Sequence, residues 1–255
     1  MDVRTVLSCL ALAAPDPGEL PGDVFRAALL RSLRADAGTR HTLEDLGQWL
    51  TRSKVDHPLD TRRVPLAGIS GWHRDADAVA HDEGRYFRIV GVSVRATQRE
   101  VRSWTQPLLA PVGQGVIAFL VTRVDGVLHA LVQARVEAGL LDGVELAPTV
   151  QCTPANLAGT GLPRPPFLDT VLGADPADIR YDTLLSDEGG RSYHSLARHL
   201  VVEVPETFAA REPDGFRWVS VGQLVTLTRH SYQVNVQARS LLTVLHSLWT
   251  AEASA

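Results

Sequence analysis

One segment of the sequence carries a polar face whose residue types could do chemistry. GVLHALVQARVEAG, residues 126–139, alternates in the manner of a β-strand, with an apolar side that runs from Leu128 to Val136. The opposite side holds, with only Leu131 between them, four polar residues: His129, Gln133, Arg135 and Glu137. Imidazole, amide, guanidinium and carboxylate groups donate, accept or exchange protons. This face is therefore a candidate wall of a polar pocket.

Two other segments show a similar pattern. They place hydrogen-bonding or stacking residues at a period of two: Thr149, Gln151 and Thr153 in VELAPTVQCT, and Arg102, Trp104 and Gln106 in VRSWTQP. Ordinary solvated strands account for many such patterns, because antiparallel sheets commonly expose one face. Surface strands usually carry Lys and Glu, however. These two segments instead carry Thr, Gln, Trp and Arg, which favours a ligand pocket. Trp104 fits a packed core as well as a pocket wall.

Composition and motifs argue against several classes of protein. The 255 residues carry a net charge of −4 without a basic run, so neither nucleic acid nor an anionic membrane is an expected partner. Cys9 and Cys152 lack metal-like spacing and indicate a reducing compartment, and no apolar run is long enough to span a bilayer. Dinucleotide, phosphate-loop, HExxH and GxSxG motifs are absent. We expect a cytoplasmic protein.

Along the chain, the predicted elements that would position these residues start with two helices and end with two helices. Four helices are predicted, in two pairs: residues 23–36, 42–54, a segment that starts after Ser220, and 234–250. Thr42 is the expected N-cap of the second helix, with Asp45 as its capping-box partner. Ser220 is the expected N-cap of the third.

Strands and tight turns fill the middle of the chain, from about Trp72. They comprise a strand at 85–96, a hairpin at 116–137 that turns at Asp125-Gly126, a strand at 144–153 interrupted by Pro148, a second hairpin at 180–205 and a strand that ends at Val219. Together these elements predict an α+β domain, with a mostly antiparallel or mixed central sheet flanked by helices.

Residues 1–22 are predicted to lie outside this domain. VRTVLSCLALAA at 3–14 is a poor secretory signal, because Asp2 spoils the charged start and the apolar run is short. MDVRTVLSCL instead matches VQARSLLTVL at 236–245, as expected for the last helix of an earlier repeat unit. APDPGELPG at 14–22 has the composition of a linker. We therefore expect a helix remnant and linker over 1–22 and one module over 23–255.

Several long motifs resemble those of the NDP-hexose 2,3-dehydratases of deoxysugar biosynthesis. They are SWTQP, DGVLHALVQARVE, ELAPTVQCT, LLSDEGGRSYH followed by RHLVVEV, and FRWVSVGQL. The resemblance covers about residues 42–245 and implies a Nudix-like α+β module without the glutamate-rich metal helix of Nudix hydrolases. That helix motif is missing here, which disfavours pyrophosphate hydrolysis.

The resemblance also implies an activity. The family is a group of hydro-lyases that remove water across C2 and C3 of an NDP-4-keto-6-deoxyhexose, usually the dTDP-glucose derivative. The product is a 3,4-diketo-2,6-dideoxy sugar, which a partner ketoreductase then reduces on the way to glycosylated natural products such as antibiotics. Neither a redox cofactor nor a metal is implied.

The implied reaction requires a base, an acid and hydrogen-bond donors for an oxyanion. The C3 proton is α to the C4 ketone, so a base can remove it if the enolate oxygen is stabilised, and the C2 hydroxyl then leaves with help from an acid. We expect Glu137 or His129 to act as base or acid, with Gln133 and Arg135 as donors.

Further residues are candidates for holding the substrate. Those expected to contact the sugar are Trp104, Gln106, Thr149 and Gln151. The diphosphate calls for arginine, and Arg198 shares a predicted strand face with His194 among apolar residues. We expect these two residues to bind the phosphates. A partly buried structural ion pair is the alternative for Arg198.

Length sets this sequence apart from the family. Members usually hold two such modules in tandem, in about twice this length, whereas this sequence has one module and a remnant of another. A homodimer is expected to replace the missing half. The alternative is a non-catalytic half-module that binds an NDP-sugar and acts with a partner chain.

Overall fold

A computed structural model describes residues 23–34, 38–210 and 212–250. The helix remnant and linker predicted over residues 1–22 lie outside the described residues. The α-helices are α1 (Val24–Arg34), α2 (Leu43–Asp56), α3 (Leu168–Leu172), α4 (Val221–Leu227) and α5 (Val236–Thr250). The four predicted helices are thus confirmed, and the short α3 is an addition. Within the described ranges, no helix is both long and apolar enough to cross a membrane.

Local sequence signals set the starts of two helices. The hydroxyl of Thr42 accepts a hydrogen bond from the Asp45 amide at 3.0 Å, and the Asp45 carboxylate accepts one from the Thr42 amide at 3.0 Å. Ser220 and Gln223 form the same reciprocal arrangement at the start of α4. Each pair satisfies main-chain donors that a helix start leaves unpaired. Both predicted caps are confirmed.

The strands form two sheets. They are β1 (Trp72–Arg74), β2 (Ala78–His81), β3 (Phe87–Arg95), β4 (Ser103–Pro111), β5 (Gly115–Val124), β6 (Val127–Val136), β7 (Val144–Ala147), β8 (Val150–Cys152), β9 (Ile179–Ser186), β10 (Leu196–Glu203) and β11 (Phe216–Ser220). The smaller sheet has the order β1-β2-β3-β4. The larger, seven-stranded sheet has the order β11-β6-β5-β10-β9, with β7 on β6 and β8 on β5. The α+β class with a mixed central sheet is confirmed, and the separate smaller sheet is a correction to the single sheet expected.

Both predicted hairpins are present. Asp125 and Gly126, between β5 and β6, have φ angles of 50° and 76°, the left-handed conformation that a type I′ turn requires at both central positions. The second hairpin pairs β9 with β10 in antiparallel register. Strand β10 also runs parallel to β5, which makes the sheet mixed.

Strands β5 and β6 diverge beyond their turn. Their ladder ends at Val121 and Ala130, after which β6 pairs with β7 and β5 pairs with β8. The link between β7 and β8, at Pro148 and Thr149, lies where β5 and β6 separate. We call this place the strand fork. The prediction that Pro148 interrupts the strand is confirmed.

Thr149 holds the strand fork together. Its side chain is only 1% exposed, and its hydroxyl accepts a hydrogen bond from the Leu120 amide at 2.9 Å. The same hydroxyl donates to the main-chain oxygen of Leu131. One side chain thus satisfies a buried main-chain group on each of the two diverging strands. This is a structural role, and it replaces the sugar contact that the alternation led us to expect.

The larger sheet is buried on both faces. The first core cluster packs Leu128, Ala130 and Val132 of β6 against α1, α2, α4 and α5. The second core cluster packs the opposite face, including Leu131 and Trp218, against α3 and the short helix at 206–210. The odd-numbered face of β6 therefore begins inside a core and reaches a more exposed position only near Arg135.

Candidate functional site

Four polar side chains meet at the open end of the strand fork, and we call them the polar cluster: Arg135, Glu137, Gln151 and Asn235. The guanidinium Nε of Arg135 donates to Glu137 Oε1 at 2.7 Å, and its Nη1 donates to the main-chain oxygen of Gln151 at 3.0 Å. The amide of Gln151 donates to the same Glu137 oxygen at 3.4 Å. Asn235 donates to Gln151 Oε1 at 2.8 Å. Three residues predicted for the site are therefore brought together, and each is half-buried.

The strand fork and a helix start position this cluster. Arg135 is near the end of β6, Glu137 follows that strand, and Gln151 lies on β8. Asn235 precedes α5, where its side-chain oxygen accepts from the Ala238 amide at 2.9 Å as an N-cap. Asn235 was not predicted from the sequence. The signal that could have found it is the preference for Asn immediately before a helix.

Gln133 lies two residues before Arg135 on the same face of β6. Its amide nitrogen donates to the main-chain oxygens of Pro148 and Thr149, at 2.8 Å and 3.3 Å. Gln133 therefore braces the link between β7 and β8. Its amide hydrogens are used in that contact, and its expected role as an oxyanion donor stays a prediction.

His129 lies apart from the polar cluster. It is 0% exposed, shares the β6 face with buried Leu131, and its Nδ1 is 2.9 Å from the main-chain oxygen of Val127. Glu137 is eight positions further along the chain, which is about 26 Å along an extended strand. The expectation that both residues serve one substrate is corrected. An alternating pattern does not distinguish a solvated or ligand-lined face from a second core layer.

Burial lowers the pKa of His129 from its ordinary value of 6.5, because the interior disfavours the charged imidazolium. As the pH falls through 6.5, the unfolded chain binds a proton that the folded chain excludes, so stability falls, with a slope of up to about 1.4 kcal/mol per pH unit. We expect His129→Leu to reduce this loss between pH 7 and pH 5. Urea unfolding at several pH values measures it. The surface variant His57→Gln should keep the wild-type slope, and equal slopes in all three proteins would contradict the assignment.

Trp104 and Gln106 lie on β4 of the smaller sheet. The indole nitrogen of Trp104 donates to Gln106 Oε1 at 2.6 Å, and the Gln106 amide donates to the main-chain oxygen of Gly190 at 3.0 Å. The guanidinium of Arg99 lies 5.9 Å from the Trp104 ring centroid. These contacts do not join the polar cluster, so the structure does not bring Trp104 and Gln106 together with Glu137.

Arg198 forms the ion pair that was the alternative to phosphate binding. Its Nε and Nη2 donate to the two carboxylate oxygens of Asp182, at 2.7 Å and 2.6 Å. This hydrogen bond raises the pKa of Arg198 and lowers that of Asp182. His194 is exposed, and its ring stacks on Tyr193 with centroids 4.1 Å apart. The guanidinium group of Arg198 is therefore occupied by the Asp182 carboxylate. His194 lies outside β10, the strand that holds Arg198.

A cleft of about 330 Å³ opens beside the polar cluster, at the edge of β7, and we call it the edge cleft. Its walls are Glu145, the segment 228–232, Val234 and Arg239. Its volume is at the lower end of the range typical of small-molecule sites. Glu145 pairs with Arg135 in the β6–β7 ladder, and Val234 immediately precedes Asn235. The cleft and the polar cluster are therefore neighbours.

Glu145 is the least solvated charged group of this region. It is 8% exposed, and no described residue makes a hydrogen bond or ion pair with its carboxylate. Burial raises the pKa of Glu145, and the charge of Arg239 acts in the opposite direction. Glu145 was not predicted from the sequence, because its strand face and the 228–232 wall come together only in the fold. Among the described residues, no three His, Cys, Asp or Glu side chains are arranged to hold a metal ion.

Comparison with known proteins identifies the family. A model of the family described as NDP-hexose 2,3-dehydratase matches residues 43–245. The chain belongs to the NDP-hexose 2,3-dehydratase family, as its motifs predicted. This family match covers the polar cluster and the edge cleft.

Two curated relatives bear the same name, dTDP-4-dehydro-6-deoxy-alpha-D-glucopyranose 2,3-dehydratase. The protein from Saccharopolyspora spinosa is 49% identical over 253 residues, which are 98% of this chain and 52% of the relative. The protein from Streptomyces violaceoruber is 46% identical over 250 residues, which are 97% of this chain and 53% of the relative. The chain thus spans about half the length of the curated relatives that it matches.

Solved structures with some similarity include two hydrolases. An ADP compounds hydrolase is 16% identical with a TM-score of 0.42, over 75% of this chain and 97% of the hydrolase. A Nudix hydrolase from M. smegmatis is 14% identical with a TM-score of 0.31, over 62% of this chain and 96% of the hydrolase. The expected Nudix-like arrangement stays a prediction at these TM-scores.

Proposed function

We propose that this chain is a hydro-lyase that eliminates water across C2 and C3 of an NDP-4-keto-6-deoxyhexose. The proposed substrate is dTDP-4-keto-6-deoxyglucose, which the names of the curated relatives support. The single observation that carries the proposal is the position of the polar cluster beside the edge cleft. A half-buried carboxylate is held by an arginine and an amide, and that arginine is the strand partner of Glu145, which lines a cavity of about 330 Å³.

In this proposal Glu137 is the base that removes the C3 proton. Arg135 holds the Glu137 carboxylate at 2.7 Å and brings a positive charge to the place where the enolate forms. The electron pair of the C3–H bond forms an enolate with C4, and a fixed guanidinium stabilises the developing negative charge. Gln151 supports Glu137, and Asn235 in turn orients Gln151. The base therefore has a defined position before substrate arrives.

The remaining steps balance without an oxidant or a reductant. The enolate expels the C2 hydroxyl, which leaves as water after it accepts a proton from an acid, and a C2–C3 double bond forms. The C4 ketone is restored, and the resulting enol tautomerises to the 3,4-diketo-2,6-dideoxy sugar. No redox cofactor is required by this sequence of steps, because the sugar both loses the proton and supplies the leaving group.

The proposal extends to the setting of the enzyme. Residues 23–255 form one module, two copies of the chain pair as a homodimer, and the enzyme acts in the cytoplasm. A ketoreductase is the proposed next enzyme, because a vicinal diketone is reactive and its C3 carbonyl is ready for reduction. The product would serve the biosynthesis of deoxysugars for natural products.

A second candidate is a non-catalytic half-module that binds an NDP-sugar and acts with a partner chain. The observation that favours it is length, since the chain spans about half of each curated relative. Incubation of the purified chain with dTDP-4-keto-6-deoxyglucose, without a ketoreductase, separates the two candidates. Mass spectrometry showing loss of one water supports the enzyme. Thermal protection of the fold without loss of water supports the half-module, and neither effect rejects both.

A further inference from the structure

We propose that Glu145 is the acid that protonates the departing C2 hydroxyl, with the hexose ring in the edge cleft beside it. This inference rests on the proposed function and assigns the one chemical role that the polar cluster leaves open. Glu137 is engaged with Arg135 and Gln151, so a second group must deliver the proton. Glu145 is the buried carboxyl that lines the adjoining cavity.

The isolation of Glu145 is the first observation behind this inference. A glutamate residue that is 8% exposed ordinarily makes a hydrogen bond or an ion pair, because burial of a carboxyl group without one is costly. None of the described residues provides such a contact. The side chain borders the edge cleft, so a polar group of a bound ligand can supply it. A sugar hydroxyl is such a group.

The register of the sheet is the second observation. Glu145 lies directly opposite Arg135 in the antiparallel β6–β7 ladder, and opposite residues project from the same face with Cβ atoms about 5 Å apart. Arg135 in turn holds Glu137. The ladder and this hydrogen bond therefore place Glu145 and Glu137 in the same part of the sheet, close enough for the charge of Glu137 to act on Glu145. A reaction that removes a proton at C3 and delivers one at C2 needs two groups at neighbouring positions.

The surroundings of the two carboxyl groups also differ, and those of Glu145 favour its protonated form. Burial raises the pKa of Glu145, and the charges of Asp142 and Glu137 add to this effect, while Arg239 and Lys54 oppose it. Arg229 and His230 line the same cleft from the segment after α4. A raised pKa increases the fraction of Glu145 that carries a proton near neutral pH, as an acid requires. Glu137, by contrast, has an arginine partner for its carboxylate.

The proposed step balances in atoms and charge. Glu145 gives its proton to the C2 hydroxyl oxygen, the C2–O bond breaks, and the bonding pair leaves with water. The electrons of the enolate form the C2–C3 double bond at the same time. Glu145 remains as a carboxylate and regains a proton from water at the mouth of the cleft.

The test separates proton exchange at C3 from loss of the C2 hydroxyl. Glu145→Gln keeps the shape of the side chain and removes the acid, so elimination should fall about 10²- to 10⁴-fold while C3 exchange in D2O continues. Glu137→Gln should lose both. Loss of both reactions in Glu145→Gln, or of neither, overturns the inference. Thermal unfolding of each variant establishes that the fold is retained.

A second measurement keeps this inference distinct from the proposed function. In protein labelled with ¹³C-glutamate, the carboxyl resonance absent from Glu145→Gln identifies Glu145. It should shift when dTDP-4-keto-6-deoxyglucose is added and not when dTDP alone is added. No shift overturns the placement of the sugar, whether or not the wild type turns over. A shift in a wild type that performs neither reaction contradicts the proposed function and the acid step, but retains the sugar in the edge cleft.

Discussion

Glu137→Gln is expected to lower both C3 exchange and elimination about 10²- to 10⁴-fold, the loss typical of removing a positioned general base. The amide oxygen of glutamine can still accept the hydrogen bond that Arg135 donates at 2.7 Å, so the polar cluster should keep its geometry. The amide cannot accept the C3 proton. Rates of deuterium incorporation and of water loss, followed by NMR on the same sample, measure the two effects.

The matched control is Glu206→Gln, which makes the same chemical change at an exposed position in the short helix at 206–210. Its rates should equal those of the wild type. C3 exchange at the wild-type rate in Glu137→Gln would contradict the role of Glu137 as the base. Unchanged thermal stability in both variants is needed for the comparison, because a loss of the fold would also lower both rates.

Thr149→Val is expected to destabilise the fold by about 2–6 kcal/mol. Valine has nearly the shape of threonine, but it leaves the Leu120 amide and the Leu131 carbonyl oxygen without their hydrogen-bond partner. An unsatisfied buried main-chain group costs about 1–3 kcal/mol, and the strand fork contains one on each strand. Urea unfolding of wild type and variant measures the difference in the free energy of unfolding.

Thr149→Ser is the control for this change. Serine keeps the hydroxyl and loses one buried methyl group, which costs about 1 kcal/mol. The valine variant should therefore be clearly less stable than the serine variant. The reverse order would mean that the methyl group, rather than the two hydrogen bonds, holds β5 and β6 at the strand fork.

Local sequence signals predicted much of this fold. A turn at Asp125-Gly126 needs only the permissive backbone of its own residues, and the caps at Thr42 and Ser220 bond to residues three positions away. The chain order of helices and strands followed from such signals. The family followed from contiguous motifs, whereas Arg135, Glu137 and Gln151 were chosen by residue type and alternation, and their roles stay a prediction.

Contacts between distant parts of the chain set the rest. His129 has the same alternation as Arg135, yet it is 0% exposed and lies on the part of β6 that pairs with β11. Asn235 reaches Gln151 across 84 positions, and Glu145 borders the edge cleft only because the 228–232 segment packs beside β7. Period-two patterns assign faces to one strand but do not specify what covers each face. For the same reason, the alternation around Trp104 did not reveal that this residue lies in the separate, smaller sheet.

The central claim is that this chain activates the C3 proton of a 4-keto-6-deoxy NDP-sugar and expels the C2 hydroxyl. The most direct measurement uses the purified chain with dTDP-4-keto-6-deoxyglucose in D2O, without a ketoreductase, followed by NMR and mass spectrometry. The account predicts loss of the C3 proton signal together with loss of one water and deuterium at C2. A sugar that binds but keeps its C3 proton and its C2 hydroxyl would contradict it.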